Sequence, residues 1–258
     1  MDQSKPAVDR RALLGIASGT LLVAALAGRQ LWARERPDVI KAWAKGVVAA
    51  KDELRAGTID VLGWQAAIER LNATVPVNEL AAYLDLDRLT AGFAYDSPLA
   101  ETADPLLPAD IIGAAGMKRW FVRVFGLRKG GVVIPHVHNN MVSAHLVVDG
   151  RFHARTHDRL RDLDNAVLLR PTRDGTLRKG ETITMSDRHH NQHWLIAETE
   201  RAMTLDVGIV AVPASWEYGL KANDYNMIYV DPTVAQERDG SIAAPILSWE
   251  AAQAKFAG

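Results

Sequence analysis

With 258 residues, 48% of them hydrophobic and 24% charged, the chain is long and apolar enough to bury a sizeable core. A formal net charge of -1 creates no field that would draw in nucleic acid or an anionic membrane. Cysteine is absent, which excludes disulfides, iron–sulfur clusters, thiolate zinc sites and cysteine nucleophiles. Imidazole, carboxylate and water are left as metal ligands.

The N-terminus carries Arg10-Arg11 directly before an uncharged run that ends at Arg29. That run is short and rich in Gly and Ala beside the roughly 20 strongly apolar residues of a membrane span. With Ala25-Leu26-Ala27 as a small-residue cleavage site, residues 1–33 read as an export signal. The paired arginines resemble a twin-arginine signal, used by proteins exported already folded. The expected location is periplasmic or otherwise extracytoplasmic. An uncleaved single-span anchor is the alternative, and it is the one membrane contact foreseen.

Residues 37–110 read as a helical segment and connector. Ile40, Trp43, Val47, Ala50 and Leu54 form one apolar stripe, and Val61, Trp64, Ile68 and Leu71 form a second. Gly57 is the expected stop between them and Thr58 the expected cap. Pro76 and Asn78 open a shorter helix through Leu84. Residues 91–116, rich in Pro and Gly, connect onward.

From Met117 the period changes to two, with Trp120, Val122 and Val124 alternating with Phe121, Arg123 and Phe125. Strand-like runs follow at 131–136, 141–149, 151–155, 166–170, 182–185, 192–197 and 202–210. Gly130-Gly131, Asp149-Gly150, Asp174-Gly175 and Lys179-Gly180 read as turns between them. The expectation is mainly β: a single small barrel over 117–230, preceded by the helices. A tail over 231–258 packs on it, after one last strand-like run from Met227 to Val230.

All 8 histidines lie between residues 136 and 193. Imidazole is the commonest metal-ligating side chain, so the clustering points to a metal. His136 and His138, two apart on or beside a strand, point to one face and offer neighbouring coordination positions from one rigid element. Pro135 restricts the backbone before them.

These residues resemble the cupin superfamily. Gly131, His136, His138 and Gly150 match its first motif. Lys179-Gly180-Glu181 through His193-Trp194 and Ala202-Met203-Thr204-Leu205 is similar to its second. The resemblance covers about residues 117–210 and implies a double-stranded β-helix barrel with His193 as third ligand. Most metal cupins carry a glutamate seven residues before the hairpin glycine; here that position is Ser143. The resulting three-histidine set resembles the thiol dioxygenase branch, which implies Fe(2+) held by neutral imidazoles, with open positions for a small substrate and dioxygen. Zn(2+) or Mn(2+) are alternatives. The Ser-x-His-x-Tyr arrangement of that branch is absent, Asp206, Gly208 and Val210 standing there instead. No arginine stands at a position matching the branch's substrate-carboxylate contact.

His145, two residues beyond Ser143, points inward if Ser143 does, as a fourth ligand, a catalytic acid–base group, or a hydrogen-bonded core histidine. His189 and His190 stand in an expected exposed turn, and either replaces His193 if the register shifts. His153 and His157 read as a solvated charged rim. Ser143 beside histidines could be drawn as a hydrolase nucleophile, without an oriented triad. Tyr218, Tyr225 and Tyr229 fit packing at the barrel mouth, and Trp194 a pocket wall or core contact. The functional expectation is an exported metal-dependent oxidoreductase, a non-haem iron dioxygenase acting on a small thiol-type substrate. The alternatives are a Zn or Mn cupin isomerase or hydrolase, and a non-catalytic metal- or ligand-binding cupin.

Overall fold

The structure is a computed structural model that describes residues 38–107, 119–213, 217–224 and 226–258. The expected export signal, part of the connector and Tyr225 lie outside the described residues. Among those described, no helix is long and apolar enough to cross a membrane.

The helices form where the apolar stripes predict them. Helix α1 occupies 38–56, and Ile40, Trp43, Val47, Ala50 and Leu54 are all buried. Gly57, at φ +72, turns the chain out of it, and its amide donates to the Leu54 carbonyl. Thr58 does not cap the next helix. Its hydroxyl donates back to the Glu53 carbonyl, and the cap of helix α2 (Val61–Thr74) is Asp60, whose carboxylate accepts from the Gly63 amide at 2.7 Å. Trp43 Nε1 donates to Asn72 Oδ1 at 2.9 Å and ties α1 to α2. Helices α3 (Val77–Tyr83) and α4 (Leu86–Leu89) complete the segment.

Eleven strands follow: β1 (Glu101–Ala103), β2 (Trp120–Arg128), β3 (Val132–Val137), β4 (Met141–Asp149), β5 (Arg151–Asp162), β6 (Ala166–Arg178), β7 (Thr182–Met185), β8 (Gln192–Ala197), β9 (Arg201–Val210), β10 (Ile228–Val230) and β11 (Ile242–Leu247). Helix α5 (Trp249–Phe256) ends the chain. One sheet has the order β1-β2-β9-β4-β7. The other six strands pair in a closed ring, β10-β11-β6-β5-β8-β3, with β10 hydrogen-bonded to both β11 and β3. The fold is thus mainly β, a β-barrel with a helical segment ahead of it.

The five-stranded sheet is buried on both faces. Trp120, Val122, Val124, Ala144, Leu146, Leu205 and Val207 join the helices in one apolar cluster. Strand alternation therefore turns the intervening residues, Phe121, Arg123, Phe125, Ser143, His145 and Asp206, toward the barrel interior. The helices cover the more apolar face, and this leaves the polar face to line a cavity.

Three local expectations change. Asp174-Gly175 is not a turn: β6 runs through it, with Asp174 opposite Arg155 and Gly175 opposite Ala154. Gly175 has no positive φ, so its freedom to turn is unused. The real reversal follows Asp162, and the long β5 carries His157 as a buried strand residue, 6% exposed, not as part of a solvated rim. In the tail, β11 pairs with β6 and β10 and completes the ring. Gly150, at φ +66, is the hairpin glycine between β4 and β5. A Cβ there would lie 2.4 Å from the Arg201 carbonyl oxygen.

Candidate metal centre

The ring closure brings β3 and β8 side by side, with His136 directly opposite His193. His138 stands one residue past the end of β3, on the face of His136. The three imidazoles are 4%, 4% and 2% exposed, and each offers one nitrogen within 4.8 Å of the others. Ring centroids are 4.6 Å apart for His136–His138, 4.2 Å for His136–His193 and 5.4 Å for His138–His193.

Hydrogen bonding sets which nitrogens face inward. His136 Nδ1 lies 2.6 Å from the Ile134 carbonyl oxygen, and His138 Nδ1 lies 2.6 Å from that of Asn226. A carbonyl can only accept, so both Nδ1 atoms carry the proton. Both Nε2 atoms then present lone pairs, and they face each other at 3.0 Å. Two bare acceptors at that distance repel unless a cation lies between them. The separation is about that of two nitrogens sharing one ion at a metal–nitrogen length of about 2.1 Å. Burial, the largest cause, lowers all three imidazoles below their usual range, and the repulsion of neighbouring imidazoles, His145 among them, adds to it; His136 is lowered to about 4. They are neutral at neutral pH, the protonation state a metal needs. The donor set fits a divalent transition metal.

A second layer fixes His138 beyond its strand. The Asn191 side chain donates to the His138 carbonyl at 3.1 Å and accepts from its amide at 3.2 Å, acting as a substitute strand partner. Arg159 Nη1 donates to the same carbonyl at 3.0 Å and to Asn139 Oδ1 at 2.8 Å. Two 2.7 Å bonds to Asp162 hold that guanidinium. Such outer contacts orient ligands and tune affinity.

Beside the imidazoles opens a cavity of about 150 Å³, lined in part by Phe121, Arg123, Phe125, Ser143, His145 and Asp206. His145 lies in its wall, outside the three-histidine group. Its Nδ1 is 3.0 Å from Thr204 Oγ1, and its Nε2 is 3.7 Å from Asp206 Oδ2. Asp206, 3% exposed, stands across from His145 on β9. Ser143 donates to Asp206 Oδ1 at 2.6 Å, and the Ala144 amide donates to it at 3.2 Å. A buried carboxylate thus stands beside Ser143, contributed by β9. The sequence names Asp206 only as a departure from a motif; its pairing with β4 is the signal that was needed. Ser143 donates to a carboxylate and not to an imidazole, so no Ser–His pair is formed.

An arginine also reaches the cavity. Arg123 lines it while holding Asp104 through bonds of 2.6 and 2.9 Å. The Arg123 guanidinium is raised above its usual value by Asp104 first, with Asp206 adding to this.

His189 and His190 stack on each other at 3.6 Å, half-buried and away from the cavity lining. His189 Nδ1 is 2.9 Å from Asp158 Oδ1, and His190 Nδ1 is 3.2 Å from the Thr184 carbonyl oxygen. Neither takes the place of His193. Tyr218 Oη accepts from the Asn140 amide at 2.7 Å, and its ring lies under Arg159. Tyr229 packs at 6.4 Å from the His136 ring. Trp194 points away from the centre, between Arg155 and Phe256.

No family model and no curated protein matches the chain. Among solved structures it is similar to procruciferin, an 11S globulin from Brassica napus, at 14% identity over 46% of this chain and 27% of that one, with a TM-score of 0.33. A cupin superfamily protein from Desulfitobacterium hafniense matches at 11% identity over 43% and 77%, with a TM-score of 0.29. An oxalate oxidase matches at 16% identity over 45% and 53%, with a TM-score of 0.32. The chain therefore spans about a quarter of the first and about half of the third. The chemistry rests on the three imidazoles and the cavity beside them.

Proposed function

We propose that this protein is an exported mononuclear metal-dependent oxidoreductase, in which His136, His138 and His193 hold Fe(2+) and a small thiol-type substrate reacts with dioxygen. The observation that carries the reading is the pair of Nε2 lone pairs facing each other at 3.0 Å in a buried, neutral cluster. When bound, ferrous iron on neutral ligands supplies positions for a substrate donor atom and for dioxygen activation. Arg123 holds the anionic end of a substrate, and Phe121 and Phe125 exclude water. Asp206, with His145 as partner, takes the proton that the substrate releases. Export is supported by Arg10-Arg11 and the uncharged run behind it, with membrane attachment only if that segment is retained.

A second reading is a zinc or manganese centre acting as Lewis acid in an isomerase or hydrolase. The buried Asp206 carboxylate, a base built into the cavity, favours it. Anaerobic purification with metal analysis, followed by oxygen uptake on addition of small thiols, separates the two. Stoichiometric iron with thiol-dependent uptake supports the dioxygenase. Tight zinc without uptake overturns it. His136→Ala and His193→Ala should each lose the metal, and His189→Ala should keep it.

A further inference from the structure

Strand β8 turns His193 into the barrel and Trp194 out of it, and behind Trp194 lies a second cavity, larger than the first at about 250 Å³. Arg155, His157, Arg173, Asp174, Trp194 and Pro232 line it, among others. It lies between the outer surface of β5, β6 and β8 and the chain segment that follows β10. Trp194, 9% exposed, is clamped with Arg155 at 4.9 Å on one side and Phe256 at 5.1 Å on the other, so one wall is a rigid aromatic surface.

The polar groups of this cavity are under-satisfied, and in one direction. Arg173 makes a single 3.2 Å bond to the Thr176 carbonyl, and its buried Nε has no partner. Arg155 Nε lies 3.3 and 3.4 Å from the two oxygens of Asp174, a loose contact, and His153 takes that carboxylate more closely. His157, only 6% exposed, is held through Nδ1 by Gln192 Oε1, which leaves Nε2 without a protein partner. Two guanidinium groups therefore line a cavity whose one carboxylate, Asp174, is already shared by His153 and Arg155. Buried donors without acceptors are costly, and a planar carboxylate matches a guanidinium fork. Apolar walls and the Asp174 charge disfavour a dianion such as phosphate. They suit a single charge on an apolar body, the usual make-up of a small-molecule pocket.

We propose that this outer cavity is a second ligand site, which binds a small organic carboxylate at Arg155 and Arg173 with its apolar body against Trp194. It is separate from the metal centre and does not depend on the reaction assigned there.

The test is titration of the full, metal-loaded chain with benzoate, following the indole N–H resonance of Trp194 by NMR after assignment with Trp194→Phe. A saturable shift is expected, and inorganic phosphate at the same concentrations should produce none. Arg155→Gln and Arg173→Gln, made singly, should each weaken benzoate roughly 10-fold or more, with metal content unchanged. His136→Ala, which removes a metal-centre imidazole, should leave the benzoate shift intact. Absence of a saturable shift in the parent chain overturns the proposal. So does a shift that survives both arginine substitutions, or one lost in His136→Ala, since the resonance would then be reporting the inner cavity.

Discussion

Replacing Arg159 with methionine should destabilise the protein and loosen its metal centre together. The Arg159 and Asp162 side chains are 1% and 4% exposed, so the substitution strands a buried carboxylate. Breaking such a pair costs about 3–5 kcal/mol. The Gly219 and Leu220 amides, at 2.9 and 3.0 Å from Asp162 Oδ2, remain as partners and hold the loss near the lower end, about 3 kcal/mol. For a chain of this size that is a fall of about 6–12 °C in Tm. His138 also loses its carbonyl contact to Arg159, and a lost outer-layer contact weakens a metal site by about 10–100-fold. Urea unfolding of the metal-free protein and competitive chelator titration measure the two effects separately. Arg159→Met/Asp162→Leu removes the stranded charge and should recover most of the stability while the metal stays weakly held. A single variant within about 1 kcal/mol of the parent, with unchanged metal affinity, would refute the reasoning.

Acidification should destabilise the metal-free protein. Burial lowers His136 from 6.5 to about 4, so the unfolded chain binds its proton more readily than the folded one. Stability is full above about 6.5 and falls as pH drops toward 4, with His136 contributing about 3 kcal/mol to the loss. Urea midpoints that stay flat across this window would contradict the burial. Gly208→Ala should cost about 1–3 kcal/mol by overpacking, because the new Cβ would lie 2.2 Å from the Phe121 ring. Thermal melts should show Phe121→Leu recovering part of that loss. Asp206→Asn should keep its metal, since Asp206 is outside the three-imidazole group, while oxygen uptake falls roughly 100-fold as expected for a lost proton acceptor. Loss of metal instead would make Asp206 a ligand.

Much of this was legible in the chain because it is local. The stripes at Ile40–Leu54 and Val61–Leu71 are periodic signals that the helices obey: the α1 stripe is buried throughout, as are Val61, Trp64 and Ile68 of α2, with Leu71 half-buried. His136 and His138 share a face because strand geometry repeats every two residues. Asp174-Gly175 misled because turn chemistry is a local preference. Pairing with Ala154 and Arg155 along a long hairpin overrode it.

The sequence by itself determined the ligand chemistry available: no thiolates, a histidine cluster, and an H-x-H pair aimed one way. It also determined that the sheet strands have two unlike faces. Only tertiary structure decided which face is inside the barrel. Packing α1 and α2 over Trp120, Val122 and Val124 sends Arg123, Ser143 and Asp206 to the cavity. Cross-strand pairing chose His193 over His190 by setting it opposite His136. The same long-range contacts brought the Asn226 carbonyl to His138 and placed the Asp206 carboxylate beside His145. Partners 57 to 88 positions apart in the chain leave no mark in its periodicity, because distance along the sequence says nothing of which strands will be neighbours.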